Sequence, residues 1–475
     1  MYFSSEISSS KNNEFITSAK LATALSLQPW SDLGLRKATK MENNDHHAII
    51  AQSTMIERVT AVIERRMVAV IRAKRGQAAC LYLDKGNDHR QDVGLHPQLY
   101  RELKDYVSQI SSMYRGVKYH SFMHATHVTI SLDRMITIML NNHKIPDSFN
   151  NENRQNDRSC ACVNSGASHP VNSCFGLYND PVAHLCLVYA ALVHDVDHTG
   201  ICNSDLVKEG SELSILYNNL SIAERHSLAI AFSTLFEPSY EALRDAVFPA
   251  SEDYLKFMDV VTELVIYTDL GSPKIKDYRE SWERLFGDRN TNCTHMCHAD
   301  DERKSLIMVL MLQAAGQYIL CIVFMLYHLS GNNPLIKIIL NINLDVAHNI
   351  QGWDNFLLWN HRLYDELLCS YLQGRGDNPA TNWYRGQISF FDGYIIPLAK
   401  KLFQCGIFLR NGDDFLMCVQ NNRQRWLLEG EAITKLIINT RSCKREASMD
   451  SDDDSCTGIS YESCSNNSIR TDETD

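Results

Sequence analysis

Apolar residues recur at helical spacing along most of this chain. Between about residues 95 and 410 they return every three to four positions in long stripes, and no run alternates apolar with polar residues as a half-buried strand would. The pattern therefore predicts an all-α fold, a compact multi-helix domain that we place at residues 81–415. A polar stretch at residues 150–173 interrupts this domain and is predicted to be a surface loop.

The segments on either side of the domain have different patterns. Residues 1–55 are rich in Ser, Asn and Lys without periodicity, which is typical of a disordered segment or linker. Residues 56–80 read as a basic amphipathic helix, for which packing on the main domain is the simplest interpretation; a homodimer contact or association with a membrane surface are the alternatives. Residues 416–475 form a C-terminal extension that ends, after Arg441, in an acidic, Ser-rich tail predicted to be disordered.

Charge and cysteine content bear on the class of partner and on the cellular location. The formal net charge of -11 excludes a general nucleic-acid binder, although much of it lies in the tail, so a small anionic substrate is not excluded. The 15 cysteines follow no disulfide framework, and the first residues lack the features of a secretory signal. We therefore expect a cytoplasmic protein, with membrane association left open.

The strongest chemical signal is a cluster of polar residues that ends an apolar run. His194, Asp195, Asp197 and His198 directly follow the apolar residues 185–193. Burying these groups without partners would be costly, so they require metal ions or a dense hydrogen-bond network. An adjacent His and Asp can supply a nitrogen and an oxygen to one ion, and the second carboxylate oxygen can reach another. A metal-free polar network is the alternative.

A second signal is a pair of histidines at the start of a predicted helix. His120 and His124 lie one turn apart on the face that continues through Val128 and Leu132. On their own, two histidines at this spacing are more often packed in a core or exposed on the surface than part of a functional site. Together with the first cluster it indicates a shared site.

These motifs resemble those of a known enzyme family. The spacing HxxxHA followed by HDxDHxGxxN resembles the HD-type metal site in the catalytic domain of class I 3′,5′-cyclic nucleotide phosphodiesterases, and the resemblance covers roughly residues 80 to 415. Further matching motifs follow in the same order along the chain. They begin at Ser221, Thr268, Asp345 and Gln387.

The resemblance implies a site with two divalent metal ions. His124, His194, Asp195 and Asp345 match the ligands of the first ion, usually zinc. Asp195 would bridge to a second ion, usually magnesium, with manganese as the other candidate. Three residues match positions that hold the waters of the second ion: His198, Glu224 and Thr268.

The resemblance also implies how a cyclic nucleotide is bound and cleaved. His120 matches the general acid, Gln387 the glutamine that hydrogen-bonds the purine, and Phe390 the aromatic that stacks on it. The expected reaction is hydrolysis of cAMP, cGMP or both to nucleoside 5′-monophosphates. Two residues depart from the family pattern. Ser227 stands where many members have a second consecutive His, and His348 stands where cAMP-selective members tend to have Asn.

One segment has no counterpart in the family. Residues 316–344, 29 mostly apolar residues, separate Gln313, Ala314 and Ala315 from Asp345, where family members run without a break. Residues 305–336 contain no charged side chain and are long enough to span a bilayer. We reject a span in the folded enzyme, because it would separate Asp345 from His194. We interpret the segment as a translated intron or gene-model error, with a genuine insertion that loops out as the alternative.

Two other functions remain open at this point. One is a catalytically silent scaffold in which the insertion has displaced Asp345. The other is an HD-type phosphohydrolase of a different nucleotide, which Gln387 and Phe390 make the weaker hypothesis.

Overall fold

Helices form where the sequence repeats its apolar residues every three to four positions. The computed structural model describes residues 44–76, 83–84, 94–142, 175–287, 296–317, 352–408 and 411–449. Within these ranges the only strands are β1 (Leu83–Asp84) and β2 (Gly94–Leu95), a short antiparallel pair in which Leu83 lies opposite Leu95. The predicted all-α fold is confirmed.

Helices make up nearly all of the regular structure in these ranges. The first eight in chain order are α1 (Asn44–Arg75), α2 (Pro97–Met113), α3 (Phe122–Asn142), α4 (Pro181–Val193), α5 (Asn203–Lys208), α6 (Glu212–Leu216), α7 (Ile222–Leu235) and α8 (Glu241–Val247). The others are α9 (Ser251–Ile266), α10 (Lys274–Trp282), α11 (Met296–Gln317), α12 (Gly352–Leu372), α13 (Trp383–Phe390), α14 (Ile396–Gln404) and α15 (Asn411–Met449). A π-helical turn, Phe391–Ile395, joins α13 to α14.

Helix α4 lies at the centre of the core and leads directly into the polar cluster. Pro181 occupies its first turn, and the Asp180 side chain caps it by accepting a hydrogen bond from the Ala183 N–H at 2.9 Å. Every residue from Ala183 to Val193 is buried, because α1, α3 and α9 pack around the helix. A helix that is apolar on all sides must be enclosed in this way. Its end therefore places His194 inside the protein.

Helix α1 is a packed part of the domain. Val59, Ile63 and Val70 are almost completely buried against α2, α3 and α4. The buried Arg66 guanidinium donates from Nε to Asp133 Oδ1 of α3 at 2.8 Å. The helix begins at Asn44 rather than at residue 56, the start that the sequence suggests. Residues 49–54 are exposed, so they carry no core periodicity that could reveal the helix.

Helix α15 is also longer than the sequence suggests. It runs through the predicted boundary between residues 415 and 416 and continues past Arg441 to Met449. It packs against α12, α13 and α14, with Trp426 fully buried and Ile437 nearly so. The acidic composition after Arg441 favoured disorder, but the helix continues through the first of these residues. The rest of the tail lies outside the described residues.

Several segments singled out in the sequence lie outside the described ranges. They are residues 1–43, the loop at 150–173, most of the segment 316–344, and Asp345. Helix α11 carries Gln313, Ala314 and Ala315 and is described as far as Gln317. Among the helices α1 to α15, none combines the length and apolarity needed to cross a membrane.

Candidate metal centre and catalytic site

Two helix ends bring the first group of side chains together. His124 lies in the first turn of α3, and His194 and Asp195 directly follow α4, against which α3 packs. All three side chains are buried, and their potential ligand atoms lie within 4.8 Å of one another. His194 Nε2 is 3.0 Å and His124 Nε2 is 3.9 Å from Asp195 Oδ2. The sequence thus identified three residues that meet in space.

Hydrogen bonding fixes the orientation of the His194 ring. His194 Nδ1 lies 3.0 Å from the Ala191 carbonyl oxygen, which can only accept, so Nδ1 carries a proton. In the neutral ring, Nε2 then presents a lone pair to Asp195 Oδ2. That buried oxygen has no hydrogen-bond partner among the described residues. Two acceptors this close need a cation or a proton between them, and two nitrogens with a carboxylate oxygen suit zinc. The donor set therefore fits a divalent metal ion.

Electrostatics keep Asp195 and His124 in the forms that bind a metal. Burial would lower the pKa of His194, but Asp195 raises it, so a proton occupies the space between these two side chains when no cation does. Burial favours the neutral form of Asp195, but His194 and His120 outweigh it and hold the pKa of its carboxyl well below the usual range. Burial also lowers the pKa of His124 well below its usual value, so this imidazole is neutral. An ionised carboxylate and a neutral imidazole are the ligand forms of these side chains.

A second group centres on His120. Its Nδ1 lies 2.5 Å from Glu366 Oε1, and the other Glu366 oxygen accepts the backbone N–H groups of Tyr119 at 2.6 Å and His120 at 3.1 Å. The His120 ring stacks on His198, with centroids 3.9 Å apart. Burial alone would lower the pKa of His120, but the charges of Asp195 and Glu366 raise it to about 9. His120 is therefore a proton donor at neutral pH.

Glu366 is a site residue that the sequence analysis missed. It is buried on α12 and far along the chain from His120, so no local motif reveals the pair. A glycine is required beside it. Gly200 has φ +77°, and a Cβ there would lie 3.3 Å from both Glu366 Cγ and Val117 Cγ1. No local sequence signal distinguishes Glu366 from the other acidic residues of α12, Asp354 and Asp365.

The turn after Asp195 is held by Arg115, which follows α2, and by two residues of α7. Asp197 has φ +60°, and its carboxylate accepts a fork from Arg115, at 2.6 and 3.0 Å, and contacts His226 Nε2 at 2.9 Å. Burial would raise the pKa of Asp197, but His226 and Arg115 lower it to about 2. Ser227, which stands where many family members have a histidine, donates to the Val196 carbonyl at 2.8 Å. The serine thus braces the same turn.

Glu224 and Thr268 lie on α7 and just after α9. Glu224 Oε2 accepts from Asn203 Nδ2 at 2.9 Å, and burial, helped by Asp269, raises the pKa of Glu224 to about 7. Glu224 lies close enough to Asp195 for their charges to interact. Thr268 Oγ1 donates to the Val265 carbonyl at 2.7 Å. Glu224 therefore lies near Asp195, whereas the described hydrogen bond of Thr268 is with the end of α9.

The predicted base-binding residues line one side of α13. Gln387 and Phe390 are both half-buried, whereas Phe391 is a core residue. Phe390 stacks on Tyr394 of the π-helical turn, with centroids 5.4 Å apart and planes 20° apart. Tyr394 is close enough to Tyr119 to affect its pKa. The stacked rings of Phe390 and Tyr394 therefore adjoin the loop that carries His120.

The sequence of the chain is similar to a family model and to several curated relatives. The family model described as 3′5′-cyclic nucleotide phosphodiesterase matches residues 119–406. The cGMP-specific 3′,5′-cyclic phosphodiesterase alpha of Plasmodium falciparum is 21% identical over 343 residues, which is 68% of this chain and 28% of that protein. The probable 3′,5′-cyclic-AMP phosphodiesterase pde-4 of Caenorhabditis elegans is 26% identical over 168 residues, 35% of this chain and 19% of that protein.

A solved structure is also similar. The phosphodiesterase domain of the RhoPDE fusion protein from the choanoflagellate Salpingoeca rosetta has a TM-score of 0.49 and 16% identity, covering 88% of this chain and 99% of that chain. The chain spans less than a third of the two relatives named above. Because the family model matches more than half of its residues, this chain belongs to the 3′,5′-cyclic nucleotide phosphodiesterase family.

Proposed function

We propose that this chain hydrolyses 3′,5′-cyclic nucleotides, cAMP, cGMP or both, to nucleoside 5′-monophosphates. One observation carries the proposal. A buried cluster of His124, His194 and Asp195 with an unpartnered carboxylate oxygen lies beside a protonated His120 that Glu366 holds in place. A cluster of this kind suits a cleavage that needs both a cation and a proton donor. The sequence supports a cytoplasmic location, since its cysteines follow no disulfide framework.

The residues that would hold the metals follow from this cluster. His124, His194 and Asp195 would bind a zinc ion, with Asp345 from outside the described residues as the fourth ligand. Asp195 would also contact a magnesium or manganese ion. When bound, such ions polarise the phosphoryl group and activate water at neutral pH. Around the second ion we place His198, Glu224 and Thr268.

His120 supplies the proton for the leaving group. Its Nδ1 is engaged by Glu366, so Nε2 is the atom that can donate. As the oxygen of a water molecule attacks phosphorus, the P–O3′ bond breaks, and the departing 3′ oxygen takes the proton from His120 Nε2. Glu366 stabilises the charged ring before the transfer and keeps it oriented. The proton that the attacking water loses passes to solvent, and His120 takes up a proton from solvent before the next turnover.

The base would bind between Gln387 and Phe390. Gln387→Ala and Phe390→Ala should each raise KM for the cyclic nucleotide by roughly 10-fold, because a paired hydrogen bond and a base stack are each worth about 1 to 3 kcal/mol. Steady-state kinetics with cAMP and cGMP, together with metal analysis, would test this. Ser389→Ala on the exposed side of the same helix is the control. An unchanged KM in both variants would favour a phosphohydrolase of another nucleotide.

An assay of the full chain tests the proposed function itself. We expect hydrolysis of cAMP, cGMP or both, with bound zinc and stimulation by magnesium or manganese. A folded protein that binds metal and cleaves neither would be the phosphohydrolase of another nucleotide. A folded protein without metal or activity would be the silent scaffold.

Removal of residues 316–344 should improve the enzyme. Helix α11 packs on α3, which carries His124, and Gln313 Nε2 donates to the Tyr267 carbonyl at 2.8 Å beside Thr268. Joining Asp345 to Ala315 would extend this helix with the expected fourth ligand. We therefore expect the shortened chain to be more soluble and more active, as measured by soluble yield and kcat, and most source transcripts to lack the segment. Full activity of the long protein, with only the long transcript present, would show a genuine insertion.

A further inference from the structure

Helix α12 connects the catalytic loop to the C-terminal helix through two consecutive residues. Asp365 and Glu366 are about 100° apart around the helix axis, since an α-helix has 3.6 residues per turn. Glu366 bonds to the Tyr119 and His120 backbone and to the His120 ring. Asp365, on an adjacent face of the helix, pairs with Arg441 of α15. Consecutive residues of α12 therefore contact the catalytic loop and α15.

The pair formed by Arg441 and Asp365 is built for fixed geometry. Arg441 Nε lies 2.6 Å from Asp365 Oδ1, and Nη2 lies 2.7 Å from Oδ2, with both side chains largely buried at 13% and 8% exposure. A two-point fork between a guanidinium and a carboxylate restricts orientation as well as distance. The neighbouring pair of Lys435 and Glu431 is 71% and 66% exposed and joins residues of the same helix. Of these two ion pairs, the pair of Arg441 and Asp365 is the one that joins α15 to α12, in addition to the packing of Trp426 against Trp353 and Phe356.

Helix α12 meets the catalytic loop at a second point. Arg362 Nη1 donates to the Lys118 carbonyl at 3.1 Å. On the side facing away from the loop, Asn360 Oδ1 accepts from Trp383 Nε1 of α13 at 3.0 Å. The helix therefore stands between the His120 loop and the pair α13 and α15. Its rotation about its own axis would move Glu366 relative to His120.

We propose that Arg441 is a positioning residue for catalysis: by holding Asp365, it fixes the rotation of α12 and thereby the contact of Glu366 with His120. The proposal rests on the proposed function, in which His120 protonates the leaving group. Arg441 lies beyond residues 119–406, the part matched by the family model. The C-terminal extension thus influences the geometry of the catalytic site without lining it.

Kinetics of the full chain test this role. Arg441→Ala should lower kcat on the order of 10-fold, with KM and bound metal unchanged, because small misplacements of a catalytic group are costly. Arg441→Lys keeps the charge but loses the fork and should lower kcat by a smaller factor. Lys435→Ala, on the same helix and exposed, is the matched control and should match the wild type.

A double-mutant cycle separates positioning from general destabilisation. If Arg441 acts through Glu366, then adding Arg441→Ala to Glu366→Gln should lower kcat by less than Arg441→Ala does alone. The same fold loss in both backgrounds, or a kcat of Arg441→Ala equal to that of Lys435→Ala, would overturn the proposal. If Arg441→Ala does not fold, Arg441→Lys decides the matter, since a wild-type kcat there would contradict a role for the fork.

The outcomes distinguish this proposal from the proposed function. A wild-type chain that hydrolyses neither cAMP nor cGMP overturns the proposed function, and the role of Arg441 with it. An active wild type whose kcat is insensitive to Arg441 overturns the positioning role alone.

Discussion

Asp195→Asn removes cyclic-nucleotide hydrolysis and most of the bound metal: this is the largest effect that we expect. Asp195 Oδ2 is buried, lies 3.0 Å from His194 Nε2 and has no hydrogen-bond partner among the described residues, so a neutral amide there removes the charge that attracts a cation. His194→Ala should act in the same way by removing a nitrogen ligand. Hydrolysis assays and metal analysis of the purified variants would measure both losses.

The chain offers a control on the same helix. His184 of α4 is also buried, but its Nε2 contacts the Leu177 carbonyl at 2.8 Å, at the opposite end of the helix from His194. His184→Ala should therefore reduce stability while metal content and kcat stay near those of the wild type. If Asp195→Asn and His194→Ala kept both metal and activity, the proposed metal centre would be wrong.

His120→Ala should lower kcat by roughly 10² to 10⁴ while bound metal stays constant, the usual scale for loss of a general acid. The half-buried ring of His120 is held by Glu366 rather than by His124, His194 or Asp195. Kinetics and metal analysis on one preparation would separate the two roles. A loss of zinc in His120→Ala would make His120 a ligand instead.

Glu366→Gln should change the pH dependence in a defined direction. Glu366 raises the pKa of His120, so replacing its charge by an amide should lower that pKa. The acid must be protonated to act, so kcat falls as pH rises through this pKa. The alkaline limb of the kcat profile should therefore shift to lower pH in the variant. A limb that stays in place would mean that it reports another group.

Local motifs indicated that His124, His194 and Asp195 belong to one site because each lies at a helix end. The start of α3 supplies His124, and the end of α4 supplies His194 and Asp195. Apolar periodicity likewise predicted the helical fold. Glu366 could not be predicted in this way, because its role depends on how α12 packs against a loop distant in sequence.

The predicted boundaries of two helices differ from the structure for another reason. In α1 residues 49–54 are exposed and carry no apolar stripe, so the sequence pattern does not indicate a start at Asn44. In α15 the composition after Arg441 favoured disorder, whereas the structure continues the helix to Met449. The position of Asp345 stays a prediction from sequence, since it lies outside the described residues.

The buried pair of Arg66 and Asp133 has a consequence for truncated forms of this protein. The family model begins at residue 119, which invites a minimal catalytic fragment starting there. Such a fragment would lack α1, uncover apolar surface on α3 and α4, and leave the Asp133 carboxylate without either arginine that binds it. The smallest soluble fragment must therefore begin within α1, upstream of Val59.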